Sequence, residues 1–161
     1  FSNESHAAAA GYAVQNQFVA QLMSDGYSLI EPARAQQILY ETRCGAGEIS
    51  VEAVNVMRRE LGADFILTGT VETYSGAFVP DWGDDPEVSM QVRLIDAAEG
   101  TIAWSQTASR RGSQGLVMFG YGATHGLNDL SRQLVRSLVH AIPHTTILEA
   151  NSVSNATGYA Q

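Results

Sequence analysis

The chain has 161 residues, 45% of them hydrophobic, and a formal net charge of −8 from nine Arg, no Lys and seventeen acids. That length fits one domain able to bury a real core, and the acidic balance argues against nucleic acid, whose phosphate backbone repels it. A single cysteine, Cys44, excludes an internal disulfide and a cysteine-based zinc site, and no apolar run approaches the roughly 20 residues that a membrane helix needs.

No signal peptide is visible. Phe1-Ser2-Asn3-Glu4-Ser5 reads as the end of a strand running into a helix cap, which points to residues upstream of Phe1. The first helix follows, with Val14, Phe18 and Leu22, and Val19 and Met23 beside them, at three- and four-residue spacing. Asp25-Gly26 ends it. Tyr27-Ser28-Leu29-Ile30 is a candidate short strand. Pro32 then opens a second helix at a position that tolerates proline, with Ile38 and Leu39 as its apolar side. Gly45 and Gly47 break the chain before a third helix capped by Ser50, where Ile49 and Val54 form a hydrophobic staple. Its expected buried stripe is Val51, Val54, Met57 and Leu61, and Gly62 supplies the left-handed residue that closes it.

The period then changes. Phe65, Leu67 and Val71 alternate with Ile66, Thr68 and Thr70, a strand rich in branched residues. A loop from Gly76 to Pro86 leads to a hairpin in which Val88, Met90, Val92 and Leu94 alternate with Ser89, Gln91 and Arg93. Its turn ends on Gly100, and a returning strand carries Ile102 and Trp104 to about Ser109. A glycine-spaced loop, Gly112 to Gly126, precedes a last helix with Leu127, Leu130, Leu134, Leu138 and Ile142 on one face and Pro143 at its end. Residues 1–145 therefore read as one domain, an α/β two-layer sandwich with a mostly antiparallel sheet packed against helices. Residues 146–161 read as a small, polar, frayed tail.

Candidate chemistry is thin along this chain. His140 and His144 are four apart, but Pro143 lies between them, and neither His6, His125 nor an HExxH pattern supplies a third metal ligand. A histidine favoured by the helix C-terminus accounts for the pair. Asp81, Asp84, Asp85 and Glu87 form an acidic loop without calcium-loop spacing and read as solvated. Gly120, Gly122 and Gly126 give GxGxxxG after an antiparallel strand, with no Walker lysine, which argues against a phosphate cradle. The same loop carries Leu116, Val117, Met118, Phe119 and Tyr121, which form a contact patch if exposed and core if folded back. Cys44 reads as a bystander, and no GxSxG offers a serine nucleophile. Asn3-Glu4-Ser5 and Asn155-Ala156-Thr157 match the short, common glycosylation sequon. The expectation is no catalytic residue, no metal and no cofactor.

Three stretches in order resemble a known family: the Phe1–Ser5 segment, Leu61-Gly62-Ala63-Asp64 through Gly69-Thr70-Val71, and Val92-Arg93-Leu94-Ile95-Asp96 through Gly100 to Trp104-Ser105. Over about residues 1 to 142 the chain is similar to the bacterial envelope lipoproteins grouped around the curli-secretion subunit CsgG and the penicillin-binding-protein activator LpoB. Their fold is also similar to the TolB N-terminal domain. The resemblance implies a strand and a lipid-bearing cysteine upstream of Phe1; Cys44 is internal and cannot stand in for that cysteine. The loops Ser75–Pro86 and Gly112–Gly126 are too short and irregular for membrane-spanning hairpins, which argues against a pore subunit. What the resemblance implies is a non-catalytic periplasmic accessory domain, anchored at the outer membrane through upstream lipid, that binds another envelope protein. The alternatives are a self-assembling structural subunit of an envelope or secretion complex and a small-ligand protein using the glycine loop. The expected contact residues are Arg110 and Arg111 at the hairpin's end with Phe119 and Tyr121.

Overall fold

The computed structural model describes residues 1–45, 47–76, 85–112 and 126–143. Four strands form one sheet in the order β1-β2-β3-β4: β1 is Ser2–Asn3, β2 Phe65–Ser75, β3 Glu87–Asp96 and β4 Thr101–Arg111. β1 runs parallel to β2, with Ser2 opposite Thr70, and the other two pairings are antiparallel. The helices are α1 (Ala10–Ser24), α2 (Pro32–Glu41), α3 (Val51–Leu61) and α4 (Leu127–Ala141). The result is the expected α/β sandwich, and the Phe1–Ser5 segment carries the two-residue strand β1.

Alternation decides what lies on each face. Val88, Met90 and Val92 of β3 and Val71 of β2 are fully buried, and they meet Val14 and Phe18 of α1 and Leu130, Leu134, Val135, Leu138 and Val139 of α4 in one cluster. Each such side chain contributes about 1.5–3 kcal/mol through burial, so α1 and α4 are held mainly by their apolar stripes. A second cluster joins Ile38 of α2 and Ala53, Val54 and Met57 of α3 to Ala63, Ile66 and Ala97, with Ile95 packed against it. Ile66 and Ile95 are register partners, one residue out of phase with Leu67 and Leu94. The helical pair α2–α3 therefore covers one end of the opposite face.

The local signals explain the helix ends. Ser50 Oγ accepts from the Ala53 amide at 3.1 Å, capping α3, and Gly62 closes that helix at φ 67°. Gly100 takes φ 65° in the β3–β4 turn. Asp96 Oδ1 steadies that turn by accepting from the amides of Ala98 and Glu99 at 2.7 and 3.1 Å.

Three expectations are corrected. Tyr27–Ile30 joins no strand: the Tyr27 amide donates to the Leu22 carbonyl at 3.0 Å as the chain leaves α1, Leu29 is exposed and Ile30 lies against the second cluster. The residue ahead of Pro32, Glu31, is steered out of the helical region at φ −53° and ψ 123°, and a β-prone run alone does not provide a pairing edge. Val51 is 69% exposed while Ala53 is buried, because a side chain at the first helical position tilts back past the helix start. Ile102 is 57% exposed. The register shifts between Leu94 and Ile95, so that Trp104 opposes Leu94 and Ile102 opposes Ile95. This bulge turns Ile102 to the other face of the sheet. Residues 146–161 and 113–125 lie outside the described residues.

Candidate functional site

Among the described residues β4 borders the sheet, and its last residues belong to the expected contact region. Arg110 reaches α4, its Nη1 donating to Gln133 Oε1 at 3.2 Å. Arg111 Nη2 stands 3.2 Å from Glu87 Oε2 on the neighbouring strand. Arg111 is more than half exposed, so the pair is worth at most a fraction of a kcal/mol. What it does is hold one guanidinium at the strand's end. Arg110 and Arg111 are thus adjacent on the sheet border, whereas Phe119 and Tyr121 fall outside the described residues, as do His125, His144, Asp81, Asp84, Gly120, Gly122 and Asn155.

The remaining candidates resolve locally. His140 Nε2 lies 3.7 Å from Asp25 Oδ2, joining the ends of α4 and α1. Among the described residues no three His, Cys, Asp or Glu side chains converge as metal ligands. Asn3 of the first sequon is a structural residue. Its Nδ2 donates to the Ala7 carbonyl at 2.8 Å, and its Oδ1 accepts from the Ser5 amide and hydroxyl at 3.1 and 2.6 Å. That is an Asx turn leading the chain from β1 into α1.

A cavity of about 360 Å³ opens between the α2–α3 connection and the sheet, lined by Thr42, Arg43, Cys44, Ser50 and Arg93 among others. It lies within the range of ligand clefts. Arg93 Nη2 reaches the Gly47 carbonyl at 3.4 Å, tying the connection to the sheet. Cys44 is half-buried there. Its Sγ lies 3.3 Å from Ser50 Oγ and 3.4 Å from Thr42 Oγ1, and it accepts from the Ser50 amide at 3.4 Å. The Ser50 hydroxyl first, then the Thr42 hydroxyl and the Ser50 amide, hold the thiol below its ordinary pKa. Sequence reasoning set Cys44 aside, and it missed the role of Arg93. The usable signal was Cys44 six residues before a helix-capping serine, across two glycines.

The family model for GNA1162-like lipoproteins matches residues 1–160. Among solved structures, the PelC dodecamer from Paraburkholderia phytofirmans superposes with a TM-score of 0.59 at 19% identity, over 86% of this chain and 80% of that one. Lipoprotein GNA1162 from Neisseria meningitidis gives 0.58 at 23% identity, over 88% and 92% of the two chains. The LpoB C-terminal domain from Salmonella enterica overlaps more loosely, at 0.49 and 12% identity over 68% and 76%. At these identities the likeness to PelC and GNA1162 is one of fold. No curated protein matches the chain.

Proposed function

The chain belongs to the GNA1162-like lipoprotein family, and from that premise we propose that it is a non-catalytic accessory protein of the periplasm, anchored at the outer membrane, that binds another envelope protein. Membership of a lipoprotein family implies a cell-envelope location. The finer assignment, to the periplasm and the outer membrane and to kinship with the CsgG and LpoB group, rests on the ordered motifs at Phe1–Ser5, Leu61–Val71 and Val92–Ser105. The anchor in this reading is lipid on a cysteine upstream of Phe1, as the likeness to envelope lipoproteins suggests; no described helix is long and apolar enough to cross a membrane.

The observation that carries the proposal is the family match along residues 1–160. The physical rationale is that a sheet packed on its helical layer needs no active site to present an edge and loops to a partner. Arg110 and Arg111, with Phe119 and Tyr121, are the proposed contact residues. The test is in-cell crosslinking followed by capture of the membrane fraction. The double substitution Arg110→Glu/Arg111→Glu is expected to lower recovery of the crosslinked partner at least tenfold while the protein remains folded. Unchanged recovery would remove those residues from the interface.

A second reading, self-assembly into a structural subunit, is favoured by one observation: the PelC structure of the same fold is a dodecamer. Sedimentation at rising protein concentration separates the two, because only self-assembly makes the mass depend on concentration.

A further inference from the structure

Among the described residues, no strand lies on the far side of β4. From Thr101 to Ser109 the strand has neither a charged residue nor a proline. It therefore lacks charge and proline, two of the devices that ordinarily keep a sheet edge from pairing with another chain, and its bulge at Ala103 is confined to one end. The Gly112 amide donates to the Pro86 carbonyl at 2.8 Å, and that bond sets the alternation along the β3–β4 ladder. Inward-bonding residues alternate with outward-facing ones in an antiparallel pair. By that alternation Ser105, Thr107, Ser109 and Arg111 turn their amides and carbonyls to the open edge. Ser105, Gln106, Thr107 and Ser109 are exposed, and Ile102 adds an exposed apolar side chain on the same strand.

Charge is confined to the two ends of this edge, and its sign differs between them. Arg110 and Arg111 stand at one end, with Glu87 one strand further in. Asp96 and the exposed Glu99 occupy the turn at the other end. A strand of the same sequence laid antiparallel against β4 reverses that polarity. Centred on Gln106, the pairing sets Ser105 of each copy opposite Thr107 of the other and brings each arginine pair towards the other copy's acidic turn. Parallel pairing would set arginine against arginine and acid against acid. An antiparallel self-pairing satisfies both ends at once, as an isologous contact must.

We propose that two copies of this chain join through their β4 edges, antiparallel about a two-fold axis at Gln106, merging two four-stranded sheets into one. The proposal deepens the self-assembly reading and rests on it. It does not depend on envelope location or on an outside partner, so the purified protein alone tests it and the two accounts fail separately.

The first experiment is a disulfide trap. Residues facing each other across a non-hydrogen-bonded antiparallel pair have Cα atoms about 4.5 Å apart, which a disulfide can bridge. Gln106→Cys in a Cys44→Ser background is expected to give a covalent dimer on mild oxidation, at concentrations where sedimentation already shows a dimer. Thr107→Pro removes an outward amide and is expected to abolish the dimer with the far-UV circular dichroism and melting curve of the monomer retained. Should that variant fail to fold, Glu99→Arg is expected to weaken the dimer about two- to fivefold, with Arg111→Glu added to it restoring the affinity. A protein that stays monomeric at its highest soluble concentration overturns the proposal. So does an assembly of any size that the Gln106→Cys variant does not trap.

Discussion

At Gly69 an added Cβ would stand 2.5 Å from the Gln91 carbonyl oxygen and 2.7 Å from Cε1 of Phe1. The Phe1 ring lies over this glycine and stacks on Phe18 with centroids 4.9 Å apart, so the first residue and α1 close on β2 only because position 69 has no side chain. Gly69→Ala is expected to cost about 1–3 kcal/mol, the range for overpacking, read from urea unfolding midpoints. Cys44 gives a second residue-scale expectation. Because the Ser50 and Thr42 groups favour its thiolate, the folded thiol ionises at lower pH than the unfolded one. The resulting stabilisation is full above the unfolded pKa and is lost as pH falls through the folded one. The alkylation rate of Cys44 plotted against pH should turn up below the midpoint of a free thiol. Ser50→Ala should move that turn upward and also lower stability by about 1 kcal/mol through the lost cap. The cap was legible, since a serine before an apolar stripe announces itself. Its contact with Cys44 was not, because it depends on how residues 44–50 fold back rather than on helical spacing.

Elements were read well where one periodicity ruled a long segment. α4 is the clearest case: Leu130, Leu134 and Leu138 fall on one side at four-residue spacing and are all buried. Leu138→Ala should cost about 2–5 kcal/mol, measured by thermal or urea unfolding. In α3 the sequence over-counted the stripe. Val54 is 4% exposed and Val51 69%, so Val51→Glu should change stability by no more than about 0.5 kcal/mol, whereas Val54→Ala should be plainly destabilising. A result with the two reversed would mean that α3 packs by a different face. The hairpin was legible for Val88 to Leu94 and misled at Ile102, because a bulge is a shift of register between strands and leaves no mark on either strand's own alternation. The Tyr27–Ile30 stretch misled for a related reason: β propensity is a local property, but pairing depends on which edge the chain passes.

At the scale of the whole molecule, two apolar clusters serve different ends of one sheet. α1 and α4 cover one face along β2, β3 and β4, and α2–α3 cover one end of the other, leaving β4, uncharged from Thr101 to Ser109, as the border among the described residues. The fold class followed from the order of helical and strand periods, and the likeness to envelope lipoproteins from motifs whose order mattered more than any one of them, whereas the family that matches is the GNA1162-like one. Of the expected contact residues, Arg110 and Arg111 are seated on the sheet and Phe119 and Tyr121 lie outside the described residues. Nothing in composition or spacing names a partner, because recognition by a sheet edge is carried by backbone groups that every sequence shares. The central claim is that this is an anchored lipoprotein of the cell envelope. The measurement that tests it most directly is the intact mass of the protein as its own cell makes it, taken from the membrane and soluble fractions. The account predicts a chain in the membrane fraction that extends upstream of Phe1 and begins with a diacylglyceryl cysteine. An unlipidated chain recovered from the cytosol would contradict it.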